Sequence, residues 1–492
     1  MTAVESHSPS PSPPVWQAVI GLEIHVQLNT RSKVFATEAS GFQKNPNQHV
    51  SSISLAHPGA LPSINQECLQ LAVLMGLATN CKIHQHCHFA RKNYFYPDLP
   101  KGYQLSQDQT PICYEGKLSF PLQDGSSSTI RIHQIHIEED AGKSIHDQHP
   151  SQTFIDLNRA GVGLIEIVTE PDLRTAIQAG AAVAEIRRIV RYLGVSDGNM
   201  ETGNLRCDAN VSIMPVGNKE FGTRVEIKNI NSISHVIKAI EHEIDRQIQW
   251  VEAGNSVIQE TRTWNVDLQR TQPMRDKETA DDYRYFPEPD LLPVFISDED
   301  ILASKARIPP LPAERFIRYH HTYGLPLNES MALIEDRTFS DYFESLLDLN
   351  QTPKASANWL LGSVRAHLNE HQLSIDEFVL QPAQLNTIIE LIQSGQITHH
   401  AAKEQLLPAM IKQPQTAALE LARELDLLIE SKQNELEAAM DRLIEKFPNE
   451  TARYRSGKKK LLGFFVGQLM REFKGKADPK EVNQVVRTKL HS

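Results

Sequence analysis

The feature that most limits how this chain can fold is a change of hydrophobic period around residues 308–312. Up to about residue 290, apolar and polar residues alternate in short runs, the pattern of strands with one buried face. The clearest runs are 18–28, 130–138, 205–213 and 223–228. Amphipathic helices are expected between them at 65–78, 174–193 and 232–253. Residues 308–312 hold three prolines and read as a linker. Beyond it the spacing is helical at 313–323, 328–335, 340–347, 353–370, 374–379, 384–394, 398–407, 419–431, 434–446, 459–473 and 479–490. The pattern predicts a strand-rich part followed by helical units, and 492 residues allow about three domains.

The first fourteen residues contain Pro9, Pro11, Pro13 and Pro14 among serines and read as a low-complexity tail. No apolar run approaches the roughly 20 residues of a membrane span. The first basic residue is Arg31, so no secretory or transit leader is expected. The five cysteines form no CxxC pair, which favours a reducing compartment and a cytoplasmic location. The formal charge is −11, but it is unevenly distributed. Residues 451–492 carry eleven Lys+Arg against three Asp+Glu, a local +8, and the remainder carries 39 against 58, or −19. A basic tail on an acidic body can hold a polyanion by one end, or simply keep a terminal helix soluble.

Several runs could carry chemistry. In GLEIHVQL (21–28), Glu23, His25 and Gln27 share one strand face opposite Leu22, Ile24 and Val26. That polar face either binds a cation or faces water. His136 is followed by Ile137 and three acids, Glu138, Glu139 and Asp140. Like charges this close raise one another's pKa unless a cation intervenes, so the run suits Mg²⁺ or forms a solvated turn. In 201–213, Arg206, Asp208, Asn210 and Ser212 alternate with apolar residues, a polar strand face or the floor of a site. Arg224, Glu226 and Lys228 alternate similarly and read as a cross-strand ion-pair row. Residues 90–103 mix Arg91, Lys92 and Lys101 with Tyr94, Phe95, Tyr96 and Tyr103, suited to stacking a base or to packing as a proline-rich loop.

Two patterns are rejected. The Gly142-Lys143-Ser144 triplet lacks the glycine of a phosphate-binding loop, because Ile137 stands at that position. His84, His86 and His88 alternate near Cys81 and Cys87, but without a defined fourth ligand they read as a polar strand rather than a zinc site.

Taken in order, GLEIHVQL, HPGALP (57–62), 90–104, 137–143, 156–169, 203–213, 226–232 and TQPMRDKETADDYRYFPEPDLLP (271–293) resemble the B subunits of the glutamyl/aspartyl-tRNA amidotransferases. GKKKLLGFFVGQ (457–468) resembles their tail, and the likeness covers essentially everything after residue 17. The resemblance implies an α+β protein: a tail over 1–17, a catalytic cradle on an antiparallel sheet over 18–298, a helical domain over 299–406 and a basic helical tRNA-binding domain over 407–492. It implies a ligase in a heterotrimer whose other members are the A (glutaminase) and C subunits. With ATP and Mg²⁺, such a protein would phosphorylate the side-chain carboxylate of misacylated Glu-tRNA(Gln) or Asp-tRNA(Asn), and ammonia from the glutaminase would displace the phosphate. The resemblance further implies that Glu23, His25, Glu138, Glu139, Glu201 and Glu226 line the metal and catalytic site. Lys92, Tyr94 and Arg206 would contact nucleotide or substrate, and Lys458, Lys459 and Lys460 would bind tRNA. Many members carry a four-cysteine zinc site where this chain has Ala36, Glu38, Ser51 and Ser54, so no zinc is expected there. Two rival readings are a tRNA-binding module without chemistry and a stand-alone ATP-dependent carboxylate phosphotransferase. The first leaves the acids unexplained and the second leaves the basic tail unexplained.

Overall fold

The computed structural model describes residues 15–41, 45–146, 148–274, 283–429, 433–473, 477 and 479–491. The expected tail over 1–14, residues 275–282 of the long motif and residues 430–431 of one expected helix lie outside them. Two compact units are present, Met1–Thr322 and Tyr323–Ser492.

Nine strands of the first unit form one sheet: β1 (Trp16–Gln27), β2 (Lys82–Ile83), β3 (Cys113–Pro121), β4 (Ser127–Glu139), β5 (Gly163–Thr169), β6 (Leu205–Pro215), β7 (Val225–Ile230), β8 (Thr261–Asn265) and β9 (Arg270–Pro273). Their order is β9-β8-β7-β6-β1-β5-β4-β3-β2. Every neighbouring pair is antiparallel except β7 and β8. A parallel pair needs a crossover, and a helix between them, Ile233–Glu252, supplies it. Trp16 and Gln17, assigned above to the tail, instead open β1, because their backbone pairs with Pro215 and Met214 at the end of β6.

Three helices cover one face: α1 (Gln66–Ala78), α2 (Ala176–Tyr192) and α3 (Ile233–Glu252). Each starts at a side-chain cap, where Asn65, Thr175 and Ser232 accept from the backbone amides of Glu67, Gln178 and His235. Their apolar sides bury Leu22, Ile24 and Val26 of β1 together with Cys207, Ala209 and Val211 of β6. Full burial of each large aliphatic side chain is worth about 1.5–3 kcal/mol. Gly180 lets α2 approach α3: a Cβ there would meet Ile237 Cγ1 at 2.6 Å. The alternate residues of the same strands point to the opposite face, which these three helices leave uncovered. A small three-stranded sheet, Ala90–Asn93, Tyr103–Ser106 and Phe286–Pro287, lies outside this main sheet.

The first unit continues past residue 298. A helix at Asp298–Ala306, not foreseen, begins with a Ser297–Asp300 capping box. Ile301, Ile308 and Leu311 pack on the sheet's core, and Pro312 of the expected linker already starts the helix Pro312–Ile317. The described residues of the second unit contain helices and no strand. Only a 3₁₀ turn, Ile375–Glu377, forms within the helix expected at 374–379, and the helix expected at 419–431 ends at Glu424. Leu436, Met440, Tyr454, Phe465, Leu469, Val482, Val486 and Leu490 form the core of its last four helices. The α+β architecture follows the change of period. Among the described residues, no helix is long and apolar enough to cross a membrane.

Candidate active site

On the uncovered face, strand register assembles a polar floor that no single run contains. His25 on β1 pairs with Arg206 on β6 and Glu166 on β5, and Glu166 pairs with His136 on β4. One step along, Glu23 pairs with Asp208, and one step further Asn210 pairs with Glu226. Directly opposed residues share a face, so these side chains lie together. Two groups have ligand atoms all within 4.8 Å of one another: His25, Glu138 and Glu166, and Glu23, Asp208 and Glu226.

Their surroundings hold them in place. His25 Nε2 lies 3.5 Å from Glu138 and 3.7 Å from Glu166, and His136 Nε2 lies 3.0 Å from Glu166. Asn210 Nδ2 donates to Glu23 at 2.8 Å, and Thr261 Oγ1 donates to Glu226 at 2.9 Å. Lys228 Nζ reaches Asp208 on the neighbouring strand at 2.7 Å and Glu226 on its own strand at 3.2 Å, so in the ion-pair row expected around Glu226 it is Lys228 that makes the cross-strand pair.

Burial and clustered charge shift several groups. Burial, then Glu166 and Glu226, raises the Glu23 pKa, with Asn210 and Lys228 opposing. Burial would lower that of His136, but Glu138 and Glu166 push it up to about 10. Burial would raise that of Glu166, but His136 and His25 hold it well below the usual carboxylate range. Lys92 and Lys228 are likewise raised against the effect of burial, Lys92 by Glu138 and Glu166, Lys228 by Asp208 and Glu226. The floor is therefore a set of negative charges only partly balanced by the chain's own cations.

The structure brings Glu23, His25, Glu138 and Glu226 into these two groups and leaves Glu139 and Glu201 outside them. Glu139 follows Glu138 on the strand and points to the other side, where it accepts from Lys101 Nζ and from the Leu105 amide at 2.9 Å. Glu201 is exposed in the turn before β6. Arg206 lies on the floor and bonds Asp140 at 3.2 Å. Lys92, on the small sheet, lies under the influence of Glu138 and Glu166, with its Nζ 4.9 Å from the Tyr283 ring centroid. Burial and then Glu138 push the Tyr94 phenol well above its ordinary range, so it stays protonated. Lys458, Lys459 and Lys460 are exposed at the turn before Leu462–Glu472.

Sequence reasoning did not assign Asp208 or Glu166 to these groups, nor His136 to a place beside them. Glu166 had one local signal, a lone acid in the apolar run Gly163–Thr169. The two groups above, the metal-capable ones among the described residues, include none of His84, His86 and His88. His84 bonds the Pro111 carbonyl at 2.6 Å, and its ring stacks on Tyr114. Where relatives of the expected family carry zinc cysteines, Ser51 Oγ donates to Ser54 Oγ at 2.8 Å. The buried Lys33 ammonium nearby donates to the carbonyls of His49 at 2.6 Å and Ala160 at 2.5 Å.

Two cavities open on the floor. One, of about 550 Å³, is bounded by Glu23, Asn210 and Phe221. The other, of about 600 Å³, is bounded by His25, Arg206 and Lys228.

Residues 18–302 match the family model described as the GatB/GatE catalytic domain, and residues 341–490 match the GatB domain. A curated relative from Chlorobaculum tepidum, the B subunit of an aspartyl/glutamyl-tRNA(Asn/Gln) amidotransferase, is 48% identical over 475 residues, 96% of this chain and 99% of that protein. One of the same description from Thermosynechococcus vestitus is 45% identical over 498 residues, 98% of this chain and 99% of that protein.

Proposed function

The chain belongs to the GatB family, and from that premise we propose that it is the B subunit of a tRNA-dependent amidotransferase, a carbon–nitrogen ligase that activates a misacylated tRNA with ATP. Its substrates are Glu-tRNA(Gln), Asp-tRNA(Asn) or both. It works in the cytoplasm with the A subunit, a glutaminase, and the C subunit.

The supporting observation is the pair of adjoining ligand groups on one open sheet face. Their donors are five carboxylates and one imidazole, a set that suits Mg²⁺ and lacks the thiolates of a zinc cage. Glu138, Glu166 and His25 would hold one ion, and Glu23, Asp208 and Glu226 a second. When bound, the ions would neutralise charge on the transferring phosphoryl group. The chain's own residues orient the reactants. Lys92, kept protonated by Glu138 and Glu166, offsets negative charge over the floor. Arg206 and Lys228 do the same from within it.

The side-chain carboxylate oxygen attacks the γ-phosphorus of ATP, ADP leaves, and an acyl phosphate forms. Ammonia from the glutaminase then attacks the carbonyl carbon, and inorganic phosphate leaves with the amide in place. Phosphorylation is needed because a carboxylate oxygen is a poor leaving group. Lys458, Lys459 and Lys460 would grip the tRNA backbone.

The test is Glu138→Ala and Glu226→Ala in the assembled complex. Both should abolish glutamine- and ATP-dependent amide formation while the fold and tRNA binding persist. Full amidation by both variants would contradict the site.

A further inference from the structure

We propose that Arg159 is a positioning residue: it braces Arg206 and the turn before β6 through a shared carboxylate, and the reaction on the floor depends on that brace. This rests on the amidotransferase reading above, including the part given there to Arg206, and adds a residue to which that reading assigns nothing.

Arg159 lies in the segment 156–161, between the two-stranded ribbon of Lys143–Ile145 with Phe154–Asp156 and the start of β5. Its guanidinium has two partners of different kinds. Nε donates to Asp140 Oδ2, and Nη2 donates to the Gly203 carbonyl at 2.8 Å. Asp140 directly follows β4, and Arg206 meets the same carboxylate, with Nη2 3.2 Å from each oxygen. Arg159 therefore touches both supports of Arg206: the backbone three residues before it and the carboxylate that it bonds. Gly203 makes room for this. Its φ is +75°, and a Cβ there would crowd Arg159 Nη1 at 3.3 Å, so only glycine lets the fork lie against the turn.

The base from which Arg159 reaches is fixed by backbone hydrogen bonds. The Asp140 amide donates to the Val162 carbonyl at 2.8 Å, and the Asp140 carbonyl accepts from the Gly161 amide at 2.9 Å. Asn158 Oδ1 accepts from the amides of Gln48 and His49 at 2.7 and 2.8 Å, and its Nδ2 donates to the Asn45 carbonyl at 2.8 Å. The Ala160 carbonyl accepts from the buried Lys33. A side chain that must hold another in register works best from such an anchored element.

Charge decides what the brace does. A carboxylate that faces a single guanidinium draws it into a short, two-pronged pair. Asp140 is already engaged by Arg159, and Arg206 stands at the longer 3.2 Å with its side chain 41% exposed, beside the cavity bounded by His25 and Lys228. Arg206 is oriented by Asp140 while its charge stays available to the floor. Without Arg159, Asp140 would pair with Arg206 alone and draw it back, and the Gly203 carbonyl would lose this donor. A shift of about 1 Å in a positioned group can cost about 10²-fold in rate.

The test is a double-mutant cycle in the assembled heterotrimer with Arg159→Ala, Arg206→Ala and the two together. It reads kcat for amide formation on charged tRNA, KM for ATP, and Mn²⁺ bound per chain. Arg159→Ala should lower kcat about 10²-fold, as displacement of a positioned group does. KM for ATP should stay within about twofold, because the lost interaction acts in the transition state. Mn²⁺ should still bind, since Arg159 belongs to neither ligand group. In the Arg206→Ala background, Arg159→Ala should add less than about threefold, because residues acting as a unit are not additive. Free guanidinium ion should restore much of the kcat lost in Arg159→Ala, and methylammonium should not. A variant that is merely destabilised would instead lose more activity in guanidinium. Arg159→Lys keeps the charge and should remain as slow as Arg159→Ala, because an ammonium lacks the planar fork that spans carboxylate and carbonyl. Losses that multiply in the double variant, full turnover in Arg159→Lys, or lost Mn²⁺ binding without rescue would each overturn the brace. Wild-type turnover in Arg206→Ala would overturn the part given to Arg206, and a wild-type complex that forms no amide would overturn the amidotransferase reading. Either result takes this inference with it.

Discussion

The floor of the sheet and the turn before Leu462–Glu472 are both charged, and they are built in opposite ways. The floor gathers Glu23, His25, Glu138, Glu166, Asp208 and Glu226 from five strands, in buried or part-buried positions where each charge has a partner. The tail places Lys458, Lys459 and Lys460 side by side in the sequence and leaves all three exposed. Charges of the first kind depend on register, because a one-residue slip would turn each side chain to the other face. Charges of the second kind need only solvent and a short turn. The floor should therefore respond to single substitutions and the tail only to several at once.

With Glu138 and Glu226 left in place, the largest effect should come from Glu166, which the sequence alone did not single out. Glu166→Gln removes the charge that His25 and His136 both face, and should lower amide formation roughly 10²–10³-fold, the range for losing one preorganised electrostatic group. Single-turnover assays on charged tRNA measure this. A loss below tenfold would put Glu166 among the structural acids and shrink the first ligand group to two members.

Next in size is Ile24, which follows Glu23 and precedes His25 but faces the helices. Ile24→Ala should cost roughly 2–5 kcal/mol of stability, because Ile24 is 0% exposed and its cavity cannot collapse between strands. His25→Ala, one residue on, should cost far less stability and most of the activity. Chemical denaturation of both variants beside their turnover would sharpen the contrast, and equal stability losses would break it.

A smaller effect concerns metal content. Purified protein should hold no stoichiometric zinc at the Ser51 and Ser54 positions, since their hydroxyls bond each other and no thiolate is present there. One tightly held zinc per chain, found by elemental analysis, would turn attention to His84, His86 and His88.

The smallest change belongs to the tail. Replacing Lys458, Lys459 and Lys460 together by alanine should flatten the dependence of log tRNA affinity on log salt by about 0.7–0.9 for each phosphate no longer neutralised. Amidation at saturating tRNA should hardly change. Filter binding across a salt series tests this, and an unchanged slope would make the tail's +8 a solubility feature alone.

Much of the fold was legible in the residues. The alternation in 18–28 and 205–213 identified the two central strands and which of their faces is buried, because a period of two is a property of the residues themselves. The caps Asn65 and Ser232 stood at the expected starts of α1 and α3. The site was legible only in part. Glu23 and His25 lie on one strand, so their shared face could be read directly. That Glu166 stands beside His25, and Asp208 beside Glu23, depends on which strands pair and in what register, and residues so far apart in the chain carry no local sign of it. Glu138 and Glu139 were read together for the opposite reason: adjacent in sequence, they point to opposite sides of their strand. The helix Asp298–Ala306 was missed because its charged first turn, Asp298, Glu299 and Asp300, hides a short apolar stripe.

The measurement that tests the account most directly is a titration of the assembled complex with Mn²⁺, a paramagnetic stand-in for Mg²⁺, followed by electron paramagnetic resonance. The account predicts two bound ions on each copy of this chain, with one lost in Glu138→Gln/Glu166→Gln and the other in Glu23→Gln/Glu226→Gln. Mn²⁺ binding unaltered by either pair would contradict the assignment of the floor as a metal and phosphoryl-transfer site.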